Sequence, residues 1–374
     1  MRVVVAMSGG VDSSTVAALL HRAGHQVIGV TLQLYNHAAA TARKGACCAG
    51  QDIHDARRVA DRLGIDHYVI DAEARFSQAV IGDFAASYAR GETPVPCVRC
   101  NQSVKFTDLA ALARDLGAER LATGHYVRRI DGPDGAELHR AVDPARDQSW
   151  FLFATTRAQL DFTLFPLGDM PDKNAVRAIA QECGLAVADK PDSQDLCFVP
   201  TGRHTEVLAK LAPETAATGE IVDDAGRVLG LHGGIGGFTV GQTKGLGAAA
   251  MREGVRQAVH AIDATRRRIV IGPRGGGTTD FALREVNWLI DPPDGAFDCA
   301  VKLRARQAPV AARVAADGTG ARVTLVAPDL PAPGQACVFY RGDRVLGGGF
   351  IARQRVGDIA PPHAAATAEP AHAG

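Results

Sequence analysis

Residues 1–21, MRVVVAMSGGVDSSTVAALLH, restrict the fold more than any other stretch of the chain. The apolar run Val3–Ala6 reads as a buried strand, and Ser13–Arg22 carries helical periodicity. Two glycines, an aspartate and serines fill the turn between them. Such a turn points backbone N–H groups and a helix N-terminus at one spot. Gly9 and Gly10 let an anion approach the backbone, and Ser8, Ser13 and Ser14 add hydroxyl donors. The spacings of a Walker A loop and of a GxGxxG dinucleotide turn are both absent.

The alternation continues. Gln26–Leu34, Asp66–Ile70 and Arg120–Thr123 read as strands; Gln51–Leu63, Phe76–Arg90 and Val104–Leu116 read as helices. Strands alternating with helices predict an α/β unit, a parallel sheet with helices on both faces. From about Pro200 the helical signals fade, and Gly-rich turns separate short β-like runs. Past Gly275–Gly277 the regularly spaced runs AVKLRAR, APVAARVAA, ARVTLVA, QACVFYRG and RVLGGGFIA predict a small antiparallel β-barrel. The expected organisation is a catalytic unit over 1–205, a small central domain over 206–278, a barrel over 279–356 and a disordered tail over 357–374.

The chain has 374 residues, 46% hydrophobic and 22% charged, with a formal net charge of zero. That balance suits buried cores, and any basic surface for nucleic acid must be local. No run of 18 apolar residues occurs, and the N-terminus reads as a strand rather than a leader, so a cytoplasmic protein is expected.

Eight cysteines, Cys47, Cys48, Cys97, Cys100, Cys183, Cys197, Cys299 and Cys337, are too sparse for an exported disulfide scaffold. Cys183 reads as a buried helix residue, and Cys299 and Cys337 as core. Cys47 and Cys48 have no evident role. The others fall in PCVRCN (Pro96–Asn101) and DSQDLCF (Asp192–Phe198).

The SGGVDSS turn (Ser8–Ser14) resembles the PP-loop of the N-type ATP pyrophosphatases. Joined in order with PCVRCN, ATGHY (Ala122–Tyr126), DQSWFLF (Asp147–Phe153), DSQDLCF and GQTKGLG (Gly241–Gly247), it resembles the bacterial tRNA-specific 2-thiouridylases from Met1 to about Arg355. The resemblance implies a sulfurtransferase. ATP, with Mg²⁺, adenylates the carbon-2 oxygen of a tRNA wobble uridine, and sulfur then replaces that oxygen, giving 2-thiouridine, AMP and pyrophosphate. It implies ATP contacts at Ala6, Met7, Ser8, Gly9, Gly10, Val11, Asp12, Ser13, Leu32 and Gly124. Contacts to tRNA are implied at His125, Asp147, Gln148, Ser149, Arg304 and Gln335. Cys100 is implied as the nucleophile and Cys197 as the persulfide carrier. They end as a disulfide that an outside reductant must reopen, or hydrosulfide is released first and attacks the base. A sulfur-relay protein or a cysteine desulfurase is implied as donor.

Cys97 departs from the pattern, since some members carry Asn-Pro-Asp where this chain has Val95-Pro96-Cys97. That removes the expected acid/base. It also creates a set, Cys97, Cys100 and Cys197, that could hold an iron–sulfur cluster or zinc.

From the residues themselves, Asp12 also reads as a helix cap, and Asp147, Gln148 and Ser149 as a polar cap. Gln242 and Lys244 lie in a glycine-rich loop that could meet phosphate. Lys302, Arg304 and Arg306 alternate as one face of a barrel strand. The competing readings are an amide-forming synthetase of the same fold, a sulfur-insertion enzyme for another tRNA base, and a non-catalytic tRNA-binding module.

Overall fold

The computed structural model describes residues 1–35, 48–192, 195–199 and 203–353. Cys47 and the 357–374 tail lie outside the described residues. Strands β1 (Arg2–Ala6), β2 (Gln26–Gln33), β3 (Asp66–Asp71), β4 (Arg120–Ala122) and β7 (Thr163–Leu164) form a parallel sheet in the order β3-β2-β1-β4-β7.

Alternation along β1 sorts its side chains. Val3 and Val5 enter one buried cluster with Val16 and Ala17 of helix α1 (Val11–Arg22). Val4 faces the other way, against Phe106, Leu109 and Ala113. Period-2 strands between two helical layers require this division, which gives the predicted α/β class. The strand order reverses between β1 and β4, so the turn after β1 and the segment after β4 open into one crevice, where such sheets bind ligands.

The helix expected from Val104 begins earlier, at Pro96, which takes the first helical turn as its fixed φ favours. Pro96–Arg99 is α-helical, Cys100–Leu109 is a π-helix, and Ala110–Asp115 is α-helical again. Cys97 and Cys100 therefore ride on a helix rather than in a loop before one.

Two further sheets follow. Strands β8 (Gly219–Asp223), β9 (Val228–His232), β10 (Met251–Arg252), β11 (Val255–Asp263) and β12 (Arg268–Pro273) form one. Strands β13 (Thr278–Trp288), β14 (Ala296–Lys302), β15 (Val310–Asp317), β16 (Gly320–Asp329), β17 (Ala336–Arg341) and β18 (Arg344–Ile351) close into an antiparallel barrel through β13–β18 pairing. The hairpin β5 (Val127–Gly132) and β6 (Gly135–Arg140) extends this sheet, with Arg344 opposite His139. Apolar contact fuses the barrel to the α/β layer. Trp150, Phe153, Tyr340 and Phe350 share a cluster with Val4, and the Phe153 and Phe350 rings meet edge to face at 5.5 Å.

One expectation is corrected here. Lys302, Arg304 and Arg306 do not share a strand face, because β14 ends at Lys302 and the chain turns. Gln307 Oε1 accepts Leu303 N–H at 3.0 Å, and Pro309 withholds a donor from any continuing ladder. Lys302 is buried 3.9 Å from Asp147, not offered to phosphate. Cys337 is core and Cys299 packs on the same cluster, while Cys183 caps its helix half-buried.

Candidate functional site

Gly9 sits at φ +72°, and a side chain there would put its first carbon 2.1 Å from the Asp52 carbonyl oxygen, so only glycine fits. Hydroxyls fix the turn: Ser8 N–H donates to Ser13 Oγ (3.1 Å) and Ser14 Oγ donates to Gly10 O (2.8 Å). The helix cap is Gly10 and not Asp12. Met7 N–H donates to Val30 O at 2.8 Å, tying the turn to β2 and hence to Leu32. Gly124 packs on the far side, since a β-carbon there would lie 2.9 Å from Ser13 N. Ser8, Gly9, Gly10, Asp12, Ser13 and Gly124 thus come together at the turn, while Met7 and Val11 pack into the core behind it and Ala6 packs on the opposite cluster.

Three charged residues around that turn, Lys173, Arg146 and Lys190, escaped the sequence reading. Lys173 Nζ reaches both Asp12 oxygens (2.7 and 2.8 Å) and Asp192 Oδ1 (2.7 Å). Arg146 holds Asp192 Oδ2 at 2.6 Å. Burial disfavours the Asp192 charge, but Lys173 and Arg146 outweigh it and hold the carboxyl below its usual range. Tyr126 Oη donates to Asp12 Oδ1 at 2.6 Å, and burial followed by that carboxylate pushes the phenol up. Lys190 Nζ donates to Gly9 O (2.9 Å), Asp52 (2.8 Å) and Asp55 (2.6 Å), bracing the turn from behind. Lys190→Met leaves two carboxylates and a turn carbonyl without their donor. We expect a stability loss of about 2 kcal/mol by thermal unfolding, and an unchanged melting temperature would refute the brace.

The distant cysteines converge. Cys100 is buried in an apolar cluster with Phe76, Phe84, Val104 and Phe198. Phe198 anchors the segment that bears Cys197, its ring meeting Phe84 at 5.1 Å and Phe76 at 5.9 Å. Burial pushes the Cys197 thiol up to about 12, with the neighbouring Cys100 and Cys97 thiols adding to the rise. Burial likewise raises Cys100 and Cys97, and the Lys105 ammonium opposes the rise in all three. Cys97 and Cys197 keep part of their surface open to solvent although neighbouring atoms crowd their sulfurs, and both, like Cys100, are free thiols. Labelling of Cys197 by iodoacetamide should rise about tenfold per pH unit between roughly pH 7 and 9, as thiolate fraction does below a high pKa. A plateau below pH 8 in mass-spectrometric mapping would contradict this.

The two halves of the site adjoin through His125. It follows Gly124, hydrogen-bonds Thr123 Oγ1 at 2.8 Å and packs on Phe106 of the cysteine helix at 6.0 Å. Burial, then Lys105, holds its pKa well below the usual histidine value, so it is neutral at pH 7. Among the described residues no group of three or more His, Cys, Asp or Glu side chains is arranged to hold a metal ion. The set Cys97, Cys100 and Cys197 is therefore not arranged as a metal site in this structure, where Cys100 packs against Phe76, Phe84 and Phe198.

Of the expected tRNA residues, Asp147 and Ser149 are spent inside. Asp147, with a side chain 2% exposed, accepts from Arg140 Nε and from the Ser149 backbone N–H, each at 3.1 Å. Ser149 is fully buried against Tyr340 Oη at 3.1 Å. In this structure both side chains lie enclosed, linking Arg140 of β6 to Tyr340 of the barrel. Gln148 Oε1 accepts Tyr126 N–H at 2.9 Å. Gln335 donates to Thr93 O at 3.0 Å, and Arg304, 41% exposed, donates to Leu330 O at 2.8 Å beside Gly241. Gln242 orders its own loop, its amide donating to Lys244 O at 2.9 Å.

A parallel sheet whose crevice ends in a glycine turn defines a nucleotide-binding α/β domain of the HUP class. The profile described as the tRNA methyl transferase HUP domain matches residues 1–201, that of the tRNA methyl transferase PRC-barrel domain 205–273, and that of the aminomethyltransferase beta-barrel domain 278–351. The chain is 68% identical to the tRNA-specific 2-thiouridylase MnmA of Acidiphilium cryptum over 94% of its own length and all of that protein's. It is 61% identical to the same-named protein of Gluconobacter oxydans, over 94% of this chain and 99% of the other. The chain belongs to the tRNA-specific 2-thiouridylase family. No helix among the described residues is long and apolar enough to cross a membrane.

Proposed function

We propose that the chain is a tRNA 2-thiouridylase, a sulfurtransferase that spends ATP to exchange the carbon-2 oxygen of the wobble uridine for sulfur. The observation that carries this reading is the meeting of Cys100 with the Cys197–Phe198 segment, nearly a hundred positions apart, at a helix whose Phe106 packs on His125 next to Gly124. Family membership implies ATP there.

The uracil oxygen attacks the α-phosphorus of ATP and pyrophosphate leaves. Turn N–H groups of Gly9, Gly10 and the first residues of α1 stabilise the phosphate charge. Lys173 lies close enough to that turn to leave Asp12 for a phosphate oxygen. Both Asp12 oxygens are engaged by Lys173, so its carboxylate fits steering of that lysine better than coordination of Mg²⁺. Magnesium would travel with the phosphates. The terminal sulfur of a Cys197 persulfide then bonds carbon-2, and AMP departs with the oxygen. Cys100 attacks Cys197 Sγ, the persulfide S–S bond breaks, and the sulfur stays on the base. A Cys100–Cys197 disulfide remains for an external reductant. The exposure of Cys197 suits loading by a sulfur-relay protein or a cysteine desulfurase. Arg304, Gln335, Gln148 and His125 are the remaining candidates for tRNA contact.

The test incubates the protein with ATP, Mg²⁺, a sulfur donor and unmodified tRNA, then reads nuclease digests. ATP-dependent 2-thiouridine is expected. Pyrophosphate without tRNA would indicate a small-molecule synthetase, and a methylated base without sulfur would indicate the chemistry in the profile's name; either overturns the reading.

A further inference from the structure

The barrel reaches the thiols through one strained residue. Strand β13 breaks register against β18 between Arg284 and Asn287. At that break Glu285 takes φ +53°, a left-handed conformation that a β-carbon disfavours. Its carboxylate meets Arg99 at two points, Oε2 at 2.5 Å from Nη1 and Oε1 at 3.0 Å from Nη2. Arg99 lies between Cys97 and Cys100 in sequence; it ends the helical turn that bears Cys97, and Cys100 follows it at the start of the π-helix. Its guanidinium also sits 3.4 Å from Asp83, donates to Gln102 Oε1 at 3.2 Å, and lies 4.2 Å over the Phe350 ring of β18. Its carbonyl accepts Ser103 Oγ at 2.6 Å. Arg284 contacts Glu285 as well and holds Glu92 at 3.0 Å, a few residues before the thiols.

A two-point guanidinium–carboxylate pair fixes direction as well as distance, and a lysine or a lone charge would not. Glycine at 285 would be free of the backbone strain, so the chain keeps a carboxylate there at a conformational cost. We propose that Glu285 is a positioning residue for the sulfur centre. Through Arg99 it sets the orientation of the turn carrying Cys97 and Cys100, so that the barrel's engagement with substrate registers at the thiols. The reaction it serves rests on the thiolation reading above, but the geometry does not. The competing account is an ion pair of little consequence, as partly exposed pairs often are.

Glu285→Gly, Glu285→Gln and Glu285→Asp separate the two. The readouts are melting temperature, tRNA binding, single-turnover 2-thiouridine formation at saturating tRNA, and iodoacetamide labelling of Cys100. Glu285→Gly should melt close to the native protein, since relief of the strain offsets the lost ion pair, yet thiolate about tenfold more slowly. Its tRNA Kd should stay within about twofold, and Cys100 labelling should change about threefold or more, because the turn is re-aimed while the RNA surface is kept. Glu285→Gln should be equally slow. Glu285→Asp, which tolerates positive φ and keeps the charge, should recover part of the rate. Native rates of labelling and thiolation in the Gly and Gln variants would overturn the proposal. So would losses that scale with melting temperature and tRNA affinity, which a purely structural pair predicts. If the native protein itself makes no 2-thiouridine, the labelling still decides the positioning role, and only the thiolation reading falls.

Discussion

Cys197→Ser leaves 2-thiouridine at background, at least about a thousandfold below the native protein, as removal of a covalent participant does. Serine nearly matches the thiol in shape, so Phe198 stays between Phe76 and Phe84 and the segment stays seated. What is lost is chemical: an alcohol oxygen cannot carry and release a transferable sulfur. Adenylation precedes that step and in the proposed mechanism takes place at the glycine turn, so tRNA-dependent pyrophosphate release continues in this variant. Cys100→Ser fails later. Sulfur already bonded to carbon-2 remains tethered through Cys197 Sγ, and a tRNA–protein adduct that dithiothreitol cleaves should accumulate. Gel shift with and without reductant reads it. Free 2-thiouridine at the native rate in either variant would remove that cysteine from its role, and loss of product without an adduct in Cys100→Ser would favour hydrosulfide attack.

The glycine turn was legible because its chemistry is local. Two glycines, a helix start and flanking serines have few other uses, and Gly9 at φ +72° against Asp52 shows why no other residue serves. The thiols were legible only through their motifs. Nothing in the spacing of Cys100 and Cys197 says that Phe198 will dock on Phe84, which depends on packing from three separate segments. Lys173, Lys190 and Arg146 were missed because a lone lysine or arginine carries no positional signal until its carboxylate partner is placed. The hairpin of β5 and β6 had a signal that went unread, the turn Gly132-Pro133-Asp134-Gly135 between two charged runs. The opposite error arose at Lys302–Arg306, where alternating charge imitated a strand although Gln307 and Pro309 end it.

Gly124→Ala should cut tRNA-dependent pyrophosphate release about a hundredfold, more than its effect on folding explains. The added carbon would stand 2.9 Å from Ser13 N and 3.1 Å from the Asp12 carbonyl carbon, both backbone atoms. Backbone cannot rotate aside as a side-chain tip can. The first turn of α1 is also held from within, by Ser14 on Gly10 O and Ser13 on Ser8 N–H, and from outside by Lys173 on Asp12. Relief must therefore come from parting the end of β4 from the start of α1. That shift moves the N–H donors proposed to receive phosphate, while the overpacking costs about 1–3 kcal/mol. Gly64→Ala supplies the control. Gly64 sits at φ +67° with nothing within 4 Å of a would-be β-carbon, so alanine there costs about 1 kcal/mol of strain and leaves the crevice alone. If stability alone governed the rate, the two variants would lose activity in step with their melting temperatures. If donor placement governs it, Gly124→Ala falls far below that line while Cys100 labels at its native rate. Pyrophosphate release within about threefold of native in Gly124→Ala would mean that the donors receiving phosphate lie elsewhere than the switch point between β1 and β4.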